Sequence, residues 1–402
     1  MAKVFNVTGP CIPAKHYMAD TTECILQIRK MVEAGSYFTI NRAHQYGKTT
    51  TLAALDKELK DEYLVIWLDF QVLGSASYQD ENTFSLAFLQ IFSRELKRHH
   101  AEKMQGMAEA MERIRGILKE KDRSFGLMEL FGELQDICNS SEKLMVLMID
   151  EVDSASNNQV FMDFLAQLRN YYMERETKGT ITFQSVILAG VYDVKNLKRK
   201  MRLEEEHKTN SPWNIAVDFT VDMSLSLEGI KEMLKEYEAD HHTGMNTLKM
   251  AELLHDYTSG YPYLVSRLCK LMDERIGGVE GKAKKDVWTE KGFLEAVRML
   301  LIDTNTLFES LIGKLTDYPE LEQMLRELLF CGKPITYNPT NQVIGLAVMF
   351  GFVKNVDGKV IPANRIFDTL MYNHFLSMDE LKSSAMYKAS LLDKICLFVT
   401  GI

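Results

Sequence analysis

Several things are scarce in this chain, and each scarcity removes a class of protein. Proline occurs 8 times and glycine 23 times in 402 residues, too few for a collagen-like or low-complexity chain. Cysteine is limited to 6, at positions Cys11, Cys24, Cys138, Cys269, Cys331 and Cys396, with no Cys-x-x-Cys pair. In a chain this long they read as free thiols of a reducing compartment, mostly small buried hydrophobes. Long apolar runs are missing: stretches such as Leu144–Ile149 fall well short of the roughly 18 residues a membrane span needs. Positive charge is in deficit, with 47 Lys plus Arg against 56 Asp plus Glu and a net charge of −9. That balance argues against a protein whose main task is coating nucleic acid. The start, Met1–Val7, has no apolar h-region, so the expected location is the cytoplasm and no membrane partner is expected. What is abundant is ordinary globular material: 46% hydrophobic and 26% charged residues, enough for two or three domains at about 150 residues each.

Apolar patterning organises the first 220 or so residues as strands alternating with helices. Ser36–Asn41, Tyr63–Phe70, Leu144–Asp150, Thr182–Val191 and Ile215–Val221 read as five strands. Thr49–Tyr63, segments between Thr83 and Ser140, and Phe161–Arg175 read as helices. Strands separated by helices predict an α/β fold, a parallel sheet with helices on both faces. The polar stretch Lys195–Pro212 reads as an exposed loop. Beyond Ser224 the pattern is helical over Leu227–Glu238, Thr247–Tyr257 and Pro262–Arg275. A last block, Asp317–Leu376, reads helix, turn, helix, hairpin, helix, with Asp357-Gly358 as the hairpin turn. The expected division is a core over 1–222, a helical lid over 223–300, a winged-helix-like domain over 301–380 and a tail over 381–402.

Two motifs carry chemistry. In Asn41–Thr50 the residues Gly47, Lys48 and Thr49 match the end of the phosphate-loop pattern G-x-x-x-x-G-K-[ST], while Arg42 takes the place of the first glycine. Such a turn wraps backbone N–H groups around a phosphate and aims a helix N-terminus at it. Lys48 is then placed to bridge the β- and γ-phosphates and the Thr49 hydroxyl to bind Mg²⁺. The second motif is the apolar run Leu144–Ile149 ending in Asp150 and Glu151, the form of a Walker B strand. Asp150 is the candidate metal carboxylate and Glu151, with Lys48, the candidate catalytic residue, polarising the attacking water. Asp153 is equally compatible with capping the next helix. The two motifs in this order fit the P-loop class in which another strand separates the two motif strands.

With both motifs in place, the chain resembles the bacterial AAA-like P-loop ATPases, relatives of the signal-transduction (STAND) and archaeal ATPases, over roughly residues 10–275. Phosphate loops in that family commonly read Arg-x-x-x-x-Gly-Lys-[ST], so Arg42 is shared with it. The resemblance implies ATP and Mg²⁺ as ligands, and makes Arg42, Gln45, Tyr46, Gly47, Lys48, Thr49 and Thr50 the nucleotide-binding positions of the loop. It places Pro13–Met18 near the base. It also assigns base contact to a Gly-x-Pro turn, here Gly260 and Pro262, which sequence alone reads equally well as an interhelical turn. A γ-phosphate-sensing position falls at Asp193, an odd residue to face phosphate and better suited to capping the following turn. Arg169, Arg175 and Arg199 are candidates for a transition-state arginine by location only, and Arg267, five residues after Pro262, for a lid sensor. The pairs His99-His100 and His241-His242 lack a metal framework.

The function expected from these residues is a nucleotide-dependent switch that hydrolyses ATP with Mg²⁺, slowly in many relatives. The alternative is a non-hydrolysing, nucleotide-held scaffold that binds a protein or nucleic-acid partner. Self-association or an unknown protein partner is expected; nucleic acid stays open but is not favoured. The helix at Asn341–Phe350, where a winged helix would read DNA, has no Lys or Arg, and the hairpin offers only Lys354 and Lys359. Relatives often carry a nuclease-like domain beyond this region, for which the tail has no room.

Overall fold

The computed structural model describes residues 3–100, 107–120, 124–191, 213–278, 284–330 and 334–383. Lys195–Pro212, Asp193, Arg199, the side chains of His99 and His100 and nearly all of the 381–402 tail lie outside the described residues. Two compact units emerge, one of Thr8–Ile12 with Asp20–Met223, the other of Met1–Val7, Pro13–Ala19 and Ser224–Ile402. No helix among the described residues is long and apolar enough to cross a membrane.

The first unit is built on a parallel sheet. Its elements are α1 (Thr22–Glu33), β1 (Tyr37–Asn41), α2 (Lys48–Leu59), β2 (Leu64–Asp69), α3 (Glu81–His100), α4 (Ala108–Lys119), α5 (Leu127–Ser140), β3 (Met145–Asp150), α6 (Gln159–Lys178) and β4 (Ser185–Gly190). The strand order is β1-β4-β3-β2, so the strand between the two motif strands is β4, while β2 takes the outer edge. Every residue of β3 and β4 is buried, as expected for strands covered on both faces. The period of two survives inside the apolar run. Val146 and Met148 join Leu52, Leu55 and Leu59 of α2 and Ile28 and Val32 of α1. Met145, Leu147 and Ile149 face the larger core of α3, α4, α5 and α6, filled by Phe84, Phe88, Phe92, Phe161 and Phe164.

Register brings the strand ends level: Asn41 lies opposite Gly190, and Asp69 opposite Asp150. The expected strand at Ile215–Val221 is reduced to one parallel bridge, Val217 beside Phe38 on the free edge of β1. Side chains anchor that segment instead of a ladder. Trp213 Nε1 donates to Thr39 Oγ1 at 2.9 Å, and Phe219 stacks on Phe38 at 5.9 Å.

The second unit is helical, with one small sheet. Its helices are α7 (Leu227–His241), α8 (Thr247–Thr258), α9 (Pro262–Lys270) continued by a π-helical stretch to Ile276, the short α10 (Lys284–Val287), α11 (Glu290–Ile302), α12 (Thr306–Asp317), α13 (Pro319–Phe330), α14 (Gln342–Met349) and α15 (Arg365–Ser383). Side-chain caps start several of them: Ser226, Asn246, Thr289 and Asn305 each accept a backbone N–H three residues on. An antiparallel sheet of β5 (Ile335–Thr336), β7 (Lys359–Pro362) and β6 (Val353–Val356) follows in that spatial order. Asp357 (φ 49°) and Gly358 (φ 76°) make its two-residue turn, both in the left-handed region that such a hairpin requires. Phe5 and Tyr17 pack with Tyr237 in an aromatic cluster that also takes in Trp288.

Candidate nucleotide site

The loop between β1 and α2 turns through two left-handed residues, Gln45 (φ 56°) and Gly47 (φ 83°), and the helix begins at Lys48. The first N–H groups of a helix have no partner within it, so this turn presents donors and the positive end of the helix dipole together. Lys48 is buried at 7% exposure, and its Nζ donates to the carbonyls of Arg42 (2.9 Å) and Ala43 (3.1 Å). Burial holds its pKa below the ordinary lysine value, against the opposing pull of Asp153, Glu151 and Asp150.

The candidate residues around Lys48 are placed differently from one another. Arg42 offers Lys48 its carbonyl, not its guanidinium. That guanidinium donates to the carbonyls of Asn41 (3.0 Å) and Val221 (2.7 Å) and lies 5.0 Å over the Phe219 ring. Tyr46 packs against the core under α1 and α2. Thr50 Oγ1 accepts the Cys11 N–H at 3.1 Å.

Across the sheet, Asp150 ends β3 at 3% exposure. The Thr49 hydroxyl donates to Asp150 Oδ2 at 2.8 Å, and the Glu151 N–H to Asp150 Oδ1 at 3.0 Å. Burial pushes the Asp150 pKa up, partly offset by those two hydrogen bonds; burial and then the neighbouring Asp150 charge push Glu151 up. A hydroxyl and a buried carboxylate converging here are hard oxygen donors of the kind Mg²⁺ takes, so the residues present fit that ion. Glu151 itself is left-handed (φ 55°, ψ 39°), a conformation that costs a non-glycine residue on the order of 1 kcal/mol or more.

Two carboxylates at this end were not singled out for the site by sequence. Asp69 sits level with Asp150 on β2 and caps a short turn by accepting the Gln71 N–H at 2.8 Å. Asp153 accepts the Val191 N–H at 2.6 Å just beyond β4. Only the spacing Asp-Glu-x-Asp hinted at the second, and a helix cap explained it as well.

The other candidates lie on other elements. Arg175 lies at the opposite end of the sheet, donating to the carbonyls of Gly35, Phe183 and Gln184. Arg169 is exposed on α6. Arg267 pairs with Asp303 at 2.9 Å in the second unit. His241 contacts Tyr17 and Lys284, and no group of three or more His, Cys, Asp or Glu suited to a metal occurs among the described residues. Gly260 (φ 72°) and Pro262, which opens α9, belong to the second unit.

A parallel sheet ordered β1-β4-β3-β2, a glycine-lysine-threonine turn after β1 and an Asp-Glu pair after β3 define a P-loop ATPase fold. The chain belongs to the AAA-like domain family, which matches residues 14–373. A Walker-type ATPase of Pyrococcus abyssi has a similar structure, with a TM-score of 0.58 at 14% identity over 92% of this chain and 99% of that one. Weaker likenesses are to the ORC2 protein of Aeropyrum pernix, with TM-score 0.43, 13% identity and coverage of 92% and 98%. The RuvB Holliday junction branch migration motor of Thermotoga maritima gives TM-score 0.40, 14% identity and coverage of 88% and 95%. No curated protein matches the sequence.

Proposed function

We propose that this protein binds ATP with Mg²⁺ at the β1–α2 turn, hydrolyses it, and uses the nucleotide state as a switch. The observation that carries the reading is the direct 2.8 Å contact of the Thr49 hydroxyl with the buried Asp150 carboxylate, beside a buried Lys48 that donates to carbonyls of its own loop. In this reading the loop N–H groups and Lys48 hold the β- and γ-phosphates, and Thr49 and Asp150 hold Mg²⁺. The ion, when bound, neutralises charge on the phosphate oxygens. Glu151 accepts a proton from the attacking water, and its upward-shifted pKa makes the carboxylate a stronger base. Arg42 keeps the loop in register with the 219–221 segment instead of touching phosphate.

The switch reading draws on how the Ser259–Pro262 turn is fastened within its own unit. Gly260 O accepts the Leu225 N–H at 2.8 Å, and a Cβ on Gly260 would lie 2.3 Å from Leu225 O. Lys354 Nζ donates to Ser259 Oγ at 2.9 Å, Tyr261 packs edge-on against Phe367 at 5.2 Å, and Arg365 lies 4.1 Å over the Tyr257 ring. A turn to which the resemblance assigns base contact is thus tied to the C-terminal helices and hairpin, which we read as winged-helix-like. The unit's α14, free of Lys and Arg, suits a protein partner better than a DNA groove.

The test is ATP turnover in Mg²⁺ by wild type, Lys48→Ala and Glu151→Gln. Turnover in the wild type, with a strongly reduced residual rate in Glu151→Gln that still binds nucleotide, is the expected result. Equal rates in all three would overturn the enzyme reading, and tight ATP binding without turnover in the wild type would establish the scaffold alternative.

A further inference from the structure

The turn that carries Glu151 is strained, and the bond from the Glu151 N–H to Asp150 Oδ1 is one of several contacts that hold it. A left-handed non-glycine residue persists only where its surroundings over-determine it, and those surroundings are visible. The residues after Glu151, Val152–Ser154, form a single 3₁₀ turn. On one side the Ser154 hydroxyl bridges Glu151 O (2.9 Å) and Phe70 O (3.3 Å), the latter just past the end of β2. On the other side Asp153 Oδ2 accepts the Val191 N–H at 2.6 Å, just past the end of β4. Packing there is close enough to require glycine: a Cβ on Gly190 would lie 2.8 Å from both Asp153 Oδ1 and Val152 Cγ2. The Asp153 carbonyl is engaged as well, accepting from the Ser156 hydroxyl at 2.8 Å.

We propose that Asp153 is a positioning residue for hydrolysis: its carboxylate latches the Glu151 turn to the end of β4, with Gly190 supplying the space, and so fixes where the Glu151 carboxylate stands. The inference rests on the reading of Glu151 as the group that takes the water proton. Asp153 acts through Glu151 and touches no reacting atom. Removing the latch frees one side of a strained turn, and misplacing a catalytic group by about 1 Å costs up to about 10²-fold in rate. Phosphate binding depends on the loop after β1, where Asp153 acts on Lys48 by charge alone, and should change little.

The experiment measures steady-state ATP hydrolysis, and affinity for a non-hydrolysable Mg²⁺–ATP analogue, for wild type, Asp153→Ala and Asp153→Asn. Both substitutions are also made in the Glu151→Gln background. For Asp153→Ala we expect kcat to fall about 10- to 100-fold with analogue affinity unchanged to within about 3-fold. Asp153→Asn, whose amide oxygen can still accept the Val191 N–H, should recover most of that loss. In the Glu151→Gln background Asp153→Ala should cost no more than about 2-fold further, because the two residues act as a unit. Unchanged kcat in Asp153→Ala, equal losses of kcat and affinity, or losses that multiply in the double variant each overturn the proposal. Should Asp153→Ala fail to fold, Gly190→Ala crowds the same carboxylate and is expected to show the same split; equal kcat there overturns the proposal too. A wild type no more active than Lys48→Ala overturns the hydrolysis reading and this inference with it, whereas an active wild type matched by Asp153→Ala overturns this inference alone.

Discussion

Two cations stand at opposite ends of the same sheet, and the way each is held separates structure from chemistry. Arg175, with a side chain 16% exposed, donates to Phe183 O at 2.8 Å and to Gln184 O and Gly35 O at 2.5 Å, carbonyls just before β4 and β1. Its guanidinium also lies 5.4 Å from the Tyr37 ring and 5.0 Å from the Tyr172 ring, and it pairs with Glu176 at 2.9 Å. Lys48 is more deeply buried, yet it leans on two carbonyls of its own β1–α2 loop. A fixed planar fork suits permanent carbonyls, while a compact ammonium on a flexible stem can change partners. The difference teaches that burial of a charge does not by itself mark a site: what matters is whether its partners can be given up.

The largest effect that follows is on Lys48. Lys48→Met should lower ATP turnover by at least about 10²-fold and abolish measurable nucleotide affinity, since the phosphate loses its charged donor. Thermal stability without nucleotide should stay level or rise, because a buried charge with partial compensation is removed. Arg175→Met should behave the other way round. Its loss leaves carbonyls at two strand starts short of donors and costs about 3 kcal/mol in chemical denaturation, with analogue affinity unchanged in the protein that remains folded. An Arg175→Met protein that is stable but cannot bind nucleotide would break the comparison.

Arg42 falls between the two. Its guanidinium is spent on main-chain carbonyls like that of Arg175, but its own carbonyl holds Lys48. Arg42→Leu should therefore cost about 1–2 kcal/mol of stability and also weaken analogue binding, though by less than about 10-fold, since no phosphate contact is lost. Titration calorimetry beside denaturation measures both. A loss of affinity as deep as that of Lys48→Met would place the guanidinium on the phosphate and correct the division drawn above.

The fold's outline was legible because its signals are local. Leu144–Ile149 is apolar throughout, as a doubly covered strand must be, and Gly47-Lys48-Thr49 lies in one turn. The partners of Arg42 and Arg175 were not legible, because Val221 and Gly35 are 179 and 140 residues away in the chain. Residue type and neighbourhood made Arg175 a candidate for transition-state charge, and only the sheet shows that it faces the wrong end. The segment Ile215–Val221 has strand composition, but Trp213 and Phe219 spend their side chains on β1, and a single bridge forms where a ladder was expected. Asp153 read equally well as a helix cap, and its bond to Val191 was not legible because that residue sits 38 positions on, at the end of another strand.

The smallest effect is a pH dependence that only one end of the sheet should show. Glu151 has its pKa raised by burial and by Asp150, with Asp150 itself raised by burial. Between the ordinary carboxylate range near 4 and the raised value, the folded protein binds more protons than the unfolded chain. Stability therefore falls as pH rises through that window, and the cost of holding the charged group is fully present above it. Glu151→Gln removes that cost, so the variant should be more stable than wild type at about pH 8, by a margin that shrinks toward zero near pH 4. The loss caused by Arg175→Met rests on hydrogen-bond geometry and should be equal at both ends of that range. Denaturation curves of wild type and both variants at several pH values measure this. A Glu151→Gln margin that grows toward acid would mean that the carboxylate is held better in the folded protein than in the unfolded chain, and would remove the electrostatic difference between the two ends of the sheet.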